Sequence, residues 1–161
     1  MIVLIECIVL CVIFTLMVCV MAKNPIATLY NYPPKIREKV ESMEEYKDKI
    51  PTTKNKIVAK LLASVMIVIL VSLILRYING YTTFIEGFGY SLLIWTIVNI
   101  YDAVVMDIIW FRHSPEFVFK GTEDMIKEYH NYWFHIKESL KGEVIGAIVC
   151  VIIGLVIQFI L

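Results

Sequence analysis

Residues 84–111 have the sequence FIEGFGYSLLIWTIVNIYDAVVMDIIWF. This run is long enough to cross the hydrocarbon layer of a bilayer as an α-helix, which takes about 20 mostly apolar residues. Similar apolar runs occupy residues 2–22, 57–77 and 142–161. The sequence therefore predicts an all-α integral membrane protein, a bundle of four transmembrane helices that forms a single membrane domain over residues 1–161.

The composition agrees with this fold class. Hydrophobic residues make up 59% of the chain, and its mean hydropathy is +0.74. These values leave too little polar surface for a water-soluble domain of this length. The formal net charge is zero, and the charge pattern does not indicate a nucleic-acid partner.

The positive charges predict the orientation of the helices. Apart from Arg76, every Lys and Arg lies in or next to residues 23–56 and 112–141. Because short loops rich in Lys and Arg stay on the cytoplasmic side, both segments are expected in the cytoplasm. Residues 78–83 then form an outer hairpin, and both termini lie outside. The Ile, Lys and Asn usage is typical of an AT-rich bacterium, so the plasma membrane is the expected location.

The first cytoplasmic segment has the pattern of an amphipathic helix. After Pro34, apolar residues recur at roughly helical spacing among charges; they are Ile36, Val40, Met43 and Ile50. Such a helix is expected to lie on the membrane surface against anionic headgroups. The alternative is a docking helix for a partner.

The second cytoplasmic segment has a mixed pattern. Residues 116–120 alternate between polar and apolar side chains, which predicts a short hairpin or extended piece. Thr122, Glu123 and Asp124 have the pattern of a capped helix start. The aromatic residues of 129–135 are typical of an interfacial belt. The two cytoplasmic segments are expected to fold together.

Small residues recur at every fourth position of the last apolar run. They form a groove with a final polar residue, and the members are Gly142, Gly146, Cys150, Gly154 and Gln158. Small residues at this spacing let another helix approach closely. The pattern leaves open whether that helix belongs to the same chain, to a second copy or to a different protein.

The third run carries a polar face. It consists of Trp95, Asn99, Asp102 and Met106, with Asp107 to one side. At ~1.5 Å per residue, Asp102 lies roughly 12 Å inside the level of Trp110. A bare carboxylate in hydrocarbon costs on the order of 3 kcal/mol even on the lenient scale. A proton, hydrogen bonds from neighbours such as Asn99 or Tyr101, or a bound cationic group would relieve that cost.

A second group of polar side chains lies near the predicted inner surface. The candidates for acid–base catalysis there are Asp107, His113, Glu123, Asp124 and His135. The histidines His113, His130 and His135 are weak candidates for metal ligation, because His130 and His135 are about 140° apart around an α-helix. The sequence therefore predicts neither a metal nor a cofactor.

Three classes of function fit these patterns. The first is a small binding or accessory subunit that recognises another membrane protein, or a second copy of itself, through the Gly142 groove and the Asn99/Asp102 face. The second is an enzyme acting on lipid headgroups at the cytoplasmic interface. The third is ion or proton conduction by an oligomer, dependent on Asp102. Membrane lipids are expected partners in each case.

Overall fold

The computed structural model describes residues 2–50 and 53–161, and all regular secondary structure in these residues is helical. The α-helices are α1 (Ile2–Ala22), α2 (Pro34–Glu41), α3 (Glu44–Lys47), α4 (Thr53–Tyr77), α5 (Phe84–Tyr101), α6 (Ile126–Tyr129) and α7 (Tyr132–Phe159). A π-helix, Asp102–Phe111, continues α5. Short 3-10 helices form at Pro25–Asn31, Pro115–Phe117 and Glu123–Met125. The predicted all-helical fold is confirmed for the described residues.

Four helices of the described chain are long and apolar enough to cross a membrane: α1, α4, α5 with its π-helical continuation, and α7. Their large apolar side chains are widely exposed, as at Leu16 (61%), Leu70 (61%) and Ile148 (59%). A water-soluble surface rarely carries apolar patches of this extent. The exposed faces suit contact with lipid and fit a multi-pass membrane protein.

The chain divides into two compact units, and each has its own core. The first unit contains Met1–Thr52 and Ile100–Ser139, and the second contains Thr53–Asn99 and Leu140–Leu161.

The second unit packs α4, the body of α5 and the end of α7 together. Leu75 of α4 and Ile153 and Ile157 of α7 form its core, each at most 2% exposed. The backbones of α5 and α7 approach closely, since a Cβ built on Gly87 would lie 3.3 Å from the Cα of Gly154. Small residues therefore set the distance between these helices.

The groove of small residues on α7 is filled by α5 of the same chain. A Cβ on Gly146 would lie 1.9 Å from the Trp95 Nε1, and one on Gly154 would lie 2.8 Å from the Phe84 ring. At the end of the groove, Gln158 Oε1 accepts a hydrogen bond from the Phe84 N–H at 3.0 Å. The helix that the sequence pattern predicts against this groove is thus an intrachain neighbour.

The first loop segment of the first unit does not form one continuous amphipathic helix, and its apolar residues pack against other parts of the unit. It is broken into the Pro25–Asn31 3-10 helix, α2 and α3. Ile36 and Val40 are fully buried in a cluster that includes Phe119 and Tyr129 from the second loop segment. The prediction that this apolar face lies on headgroups is therefore wrong for Ile36 and Val40. The expectation that the two loop segments fold together is confirmed.

The second loop segment contains no strand in its described residues. Pro115–Phe117 forms a 3-10 helix, because the proline ring presets a helical φ at the first position of a turn. The predicted extended piece is therefore wrong at Glu116 and Phe117, whereas Val118 has extended backbone. The predicted helix start after Thr122 is confirmed by the Glu123–Met125 turn and α6, but the predicted cap is wrong, because the Thr122 hydroxyl makes no cap bond and donates to the Phe119 carbonyl. The aromatic residues that follow enter α7, where Asn131 Oδ1 accepts the Phe134 N–H at 3.2 Å.

Three hydrogen bonds lock the loop core around Tyr129. The Phe119 N–H donates to the Tyr129 hydroxyl at 3.1 Å, and the Thr122 hydroxyl donates to the Phe119 carbonyl at 2.7 Å. The Tyr129 hydroxyl in turn donates to Thr122 Oγ1 at 2.7 Å. Burial raises the pKa of Tyr129, as it does for its neighbour Tyr32. Both phenols therefore stay neutral in the folded state.

We expect Gly146→Ala to lower the free energy of unfolding by about 1–3 kcal/mol, because the added methyl group would overlap the Trp95 indole. Gly89→Ala is the matched control, since a Cβ there meets nothing within 4 Å and Ala is favoured over Gly in a helix by about 1 kcal/mol. Denaturant unfolding in mixed micelles measures both. Equal effects of the two substitutions would contradict the close α5–α7 contact.

We expect Tyr129→Phe to loosen the loop core, because the buried Phe119 N–H loses its acceptor at a cost of about 1–3 kcal/mol. Hydrogen exchange at the Phe119 amide reports this directly and should become faster. Tyr132→Phe serves as control, since that ring is 44% exposed. Unchanged protection in Tyr129→Phe would show that the hydroxyl does not hold the loops together.

Candidate functional site

The π-helical stretch of the third long helix sets the geometry of the site. Asp102–Phe111 is a π-helix of 10 residues, in which backbone hydrogen bonds join residues five apart. Asp102 and Asp107, five residues apart, therefore lie one above the other, as residues four apart do in an α-helix. The expectation that Asp107 lies to one side assumed α-helical winding and is wrong for this reason.

Asp107 contacts His135 of α7, and the two form an ion pair when the imidazole is protonated. Asp107 Oδ2 lies 3.2 Å from His135 Nδ1, and the exposed fractions of the two side chains are 29% and 4%. An ionised carboxylate only accepts hydrogen bonds, so this contact is favourable when Nδ1 carries the hydrogen. The other ring nitrogen, Nε2, is buried and has no hydrogen-bond partner among the described residues. In neutral His135 this nitrogen is a free proton acceptor.

Asp102 completes what we call the acid–imidazole cluster, Asp102, Asp107 and His135. Asp102 is partly buried and lies near enough to Asp107 and His135 to interact electrostatically with both. Aromatic rings wall the imidazole, with Phe111 at 5.1 Å and Phe134 at 5.3 Å between centroids. The cluster thus places two carboxyl groups and one imidazole in mostly apolar surroundings.

The neighbour of Asp102 in the chain is anchored to α1. The Thr15 hydroxyl donates to the Cys11 carbonyl at 2.8 Å, so the Tyr101 hydroxyl donates to Thr15 Oγ1 at 2.7 Å. Tyr101 is therefore not the donor that the sequence suggested for Asp102. No hydrogen bond to Asp102 is found within the described part of the chain. A proton or a cationic group remains as the means of relieving its charge.

The second unit contains a different acid that sequence reasoning missed. Glu143 Oε2 accepts a hydrogen bond from Asn99 Nδ2 at 2.8 Å, and its Oε1 accepts one from the Thr96 hydroxyl. The predicted fourth run begins at residue 142, which would place Glu143 at the very start of that helix. Since α7 begins at Tyr132, Glu143 lies within the helix, and counting from the aromatic residues would have placed it there.

The remaining residues of the predicted polar face pack in the second unit. Trp95 lies against Gly146, and its Nε1 is buried without a hydrogen-bond partner in the described residues. Cys150 is 1% exposed. Gly154 is buried and lies against Phe84, whereas Gln158 is exposed and accepts the Phe84 N–H.

Two of the histidines are tied to the main chain. His113 Nδ1 lies 2.6 Å from the Ile109 carbonyl, and His130 Nε2 lies 2.8 Å from the Arg112 carbonyl. Their ring centroids are 6.2 Å apart. Within the described residues, no group of three or more His, Cys, Asp or Glu side chains is arranged to hold a metal ion.

The two acids of the loop have separate surroundings. Glu123 is exposed and accepts the Gly121 N–H at 2.8 Å, which organises the turn. Asp124 is exposed as well. Among the five predicted catalytic residues, the described structure brings Asp107 and His135 into contact and shows no contact of Glu123 or Asp124 with that pair.

Comparisons with known protein families, curated proteins and solved structures find no match to this chain. The class of the protein therefore rests on the structure: it is all-helical, with four helices in the described residues that are long and apolar enough to span a membrane. The acid–imidazole cluster is its candidate functional site.

Glu123 gives a pH-dependent prediction for the loop turn. The Gly121 N–H hydrogen bond holds the pKa of this carboxyl below its ordinary value of 4.5. The bond therefore stabilises the turn above pH 4.5 and is lost as the pH falls through the lowered pKa. In NMR titrations the Gly121 amide shift should follow this ionisation, and Glu123→Gln should abolish the step. A step that survives in Glu123→Gln would assign the titration to another group.

Proposed function

We propose that this chain is a proton-transferring subunit of a bacterial plasma membrane, with the acid–imidazole cluster as its proton-binding centre. The contact between Asp107 and His135, with His135 Nε2 left as a buried acceptor, carries the proposal. Ionisable groups inside membrane-spanning helices are costly, and where they occur they commonly serve as proton relays.

The orientation proposed for the subunit has both termini outside and the two basic loop segments in the cytoplasm. The distribution of Lys and Arg supports it, and the exposed apolar faces of the long helices support insertion. In this orientation the cluster lies toward the cytoplasmic end of the third and fourth spans. The third span ends there at Phe111, and the fourth span begins there at Tyr132.

The chemistry of the cluster suits proton uptake and release. When His135 accepts a proton at Nε2, the imidazolium is stabilised by the Asp107 carboxylate. The proton on Nδ1 then passes to Asp107, which leaves a neutral imidazole and a neutral carboxyl group. A further step to Asp102 requires the two carboxyl groups to come within hydrogen-bond reach, directly or through one water.

The proposed subunit works within an assembly. Four spans are few to enclose a water path, so a homo-oligomer or a membrane-protein partner is part of the proposal. The Gly142 groove is occupied by α5, which favours the exposed apolar faces over that groove as the assembly surfaces. The native mass of the gently extracted protein tests this, and a bare monomer would argue against an assembly.

Proton flux into proteoliposomes tests the function. With an entrapped pH dye and a potassium diffusion potential as driving force, the wild-type protein should acidify the lumen faster than empty vesicles. Asp107→Asn, His135→Asn and Asp102→Asn should each reduce the rate roughly tenfold or more, because each removes a proton-carrying group.

Asp124→Asn is the matched control, because it removes a carboxylate that is exposed on the loop. Its rate should equal that of the wild type. Wild-type flux no greater than that of empty vesicles, or normal flux in both Asp107→Asn and His135→Asn, would exclude the proposal.

A lipid-headgroup enzyme is a second candidate, favoured by the same contact. A carboxylate that orients an imidazole at Nδ1 leaves Nε2 ready to act as a general base. Incubation with fluorescent phospholipids in mixed micelles tests it, with His135→Asn as the inactive variant. Unchanged lipid after long incubation with the wild-type protein would remove this candidate.

A further inference from the structure

At the end of the π-helix, both backbone groups of Arg112, its N–H and its carbonyl, take part in hydrogen bonds. The Arg112 N–H donates to the Trp110 carbonyl, and the Arg112 carbonyl lies 2.8 Å from His130 Nε2. Since a carbonyl only accepts, His130 donates this hydrogen bond. The two bonds fix the point from which the Arg112 side chain departs.

Among the described residues, no hydrogen-bond or ion-pair partner is found for the Arg112 guanidinium. Its side chain is partly buried, and Nε is shielded from solvent without a hydrogen-bond acceptor. None of the ion pairs found in the described residues involves Arg112. A guanidinium is permanently charged, and a shielded donor without an acceptor is destabilising. An anion from outside the chain would satisfy both the charge and the donor.

The surroundings of Arg112 indicate where that anion comes from. Arg112 directly follows the last residue of a long apolar helix, Phe84–Phe111. Trp110 packs edge-on against Phe117 at 5.3 Å, and tryptophans at this position in a helix are typical of the headgroup level. A lipid phosphate is the anion found at that level, and the planar fork of arginine matches two phosphate oxygens.

We propose that Arg112 binds the phosphate of an anionic membrane phospholipid. The guanidinium donates to two phosphate oxygens, Trp110 lies beside the glycerol region, and the acyl chains run along the exposed apolar faces of the first unit. The inference rests on the proposed membrane insertion and is independent of proton transfer. Free inorganic phosphate shares the chemistry, and the experiment separates it from lipid.

Native mass spectrometry of the full chain, purified in equimolar phosphatidylglycerol and phosphatidylcholine, tests the proposal. The wild type should retain phosphatidylglycerol in preference to phosphatidylcholine. Arg112→Ala should reduce this preference about tenfold, the loss expected for one charge-assisted contact. Arg112→Lys keeps the charge and loses the fork, so its preference should be intermediate.

Lys137→Ala is the matched control, because it removes one positive charge from an exposed position on α7, and it should leave the preference unchanged. Circular dichroism confirms that the compared variants have equal helix content. If Arg112→Ala misfolds, the lipid preference of Arg112→Lys is compared with that of the wild type in its place. An equal loss in Lys137→Ala, or no preference in the wild type, would overturn the proposal. Displacement of the lipid by millimolar inorganic phosphate would overturn the lipid assignment.

Discussion

The structure depends first on the need of long apolar segments to pair their own backbone N–H and C=O groups. A long apolar segment meets this need within itself only as a helix, and the four long helices of the described chain are the result. A π-helix obeys the same constraint, because each N–H is paired with the carbonyl five residues earlier in the chain, in place of four as in an α-helix. The third long helix can therefore change its winding at Asp102 and keep its main chain paired. That change aligns Asp102 with Asp107, so the backbone constraint also shapes the candidate site.

Polar side chains in the long helices are satisfied in two different ways. In the second unit, Glu143 is held by the neutral donors Asn99 and Thr96. In the first unit, Asp107 has an ionisable partner, His135, whose second nitrogen is unpaired in the described structure. The first arrangement is complete and rigid, since both carboxylate oxygens have donors. The second retains an open proton acceptor, which is why the proposed function is assigned to it.

The loop segments have a structural role that their amphipathic pattern did not reveal. Ile36 and Val40 meet Phe119 and Tyr129 in one buried cluster, so the apolar face covers protein. Sequence periodicity reports that a helix face is apolar, and it does not report whether lipid or protein covers that face. The same limit applies to the groove on α7, where small residues predicted a close neighbour and only the fold identified α5 as that neighbour.

The sequence by itself determined the class of the protein, the number of its long helices, the approximate bounds of the first three, and the presence of acids in the third one; the fourth helix begins at Tyr132, ten residues before the predicted start. These are local properties: apolar length and helix propensity depend on each segment alone. Only the tertiary structure decided that Asp107 meets His135 and that Glu143 is held by Asn99 and Thr96. Such contacts depend on how each helix is rotated about its axis and on the π-winding, which shifts that rotation after Asp102. Residues far apart in the chain set this rotation through packing, as Gly146 does against Trp95, so it is not encoded in any one segment.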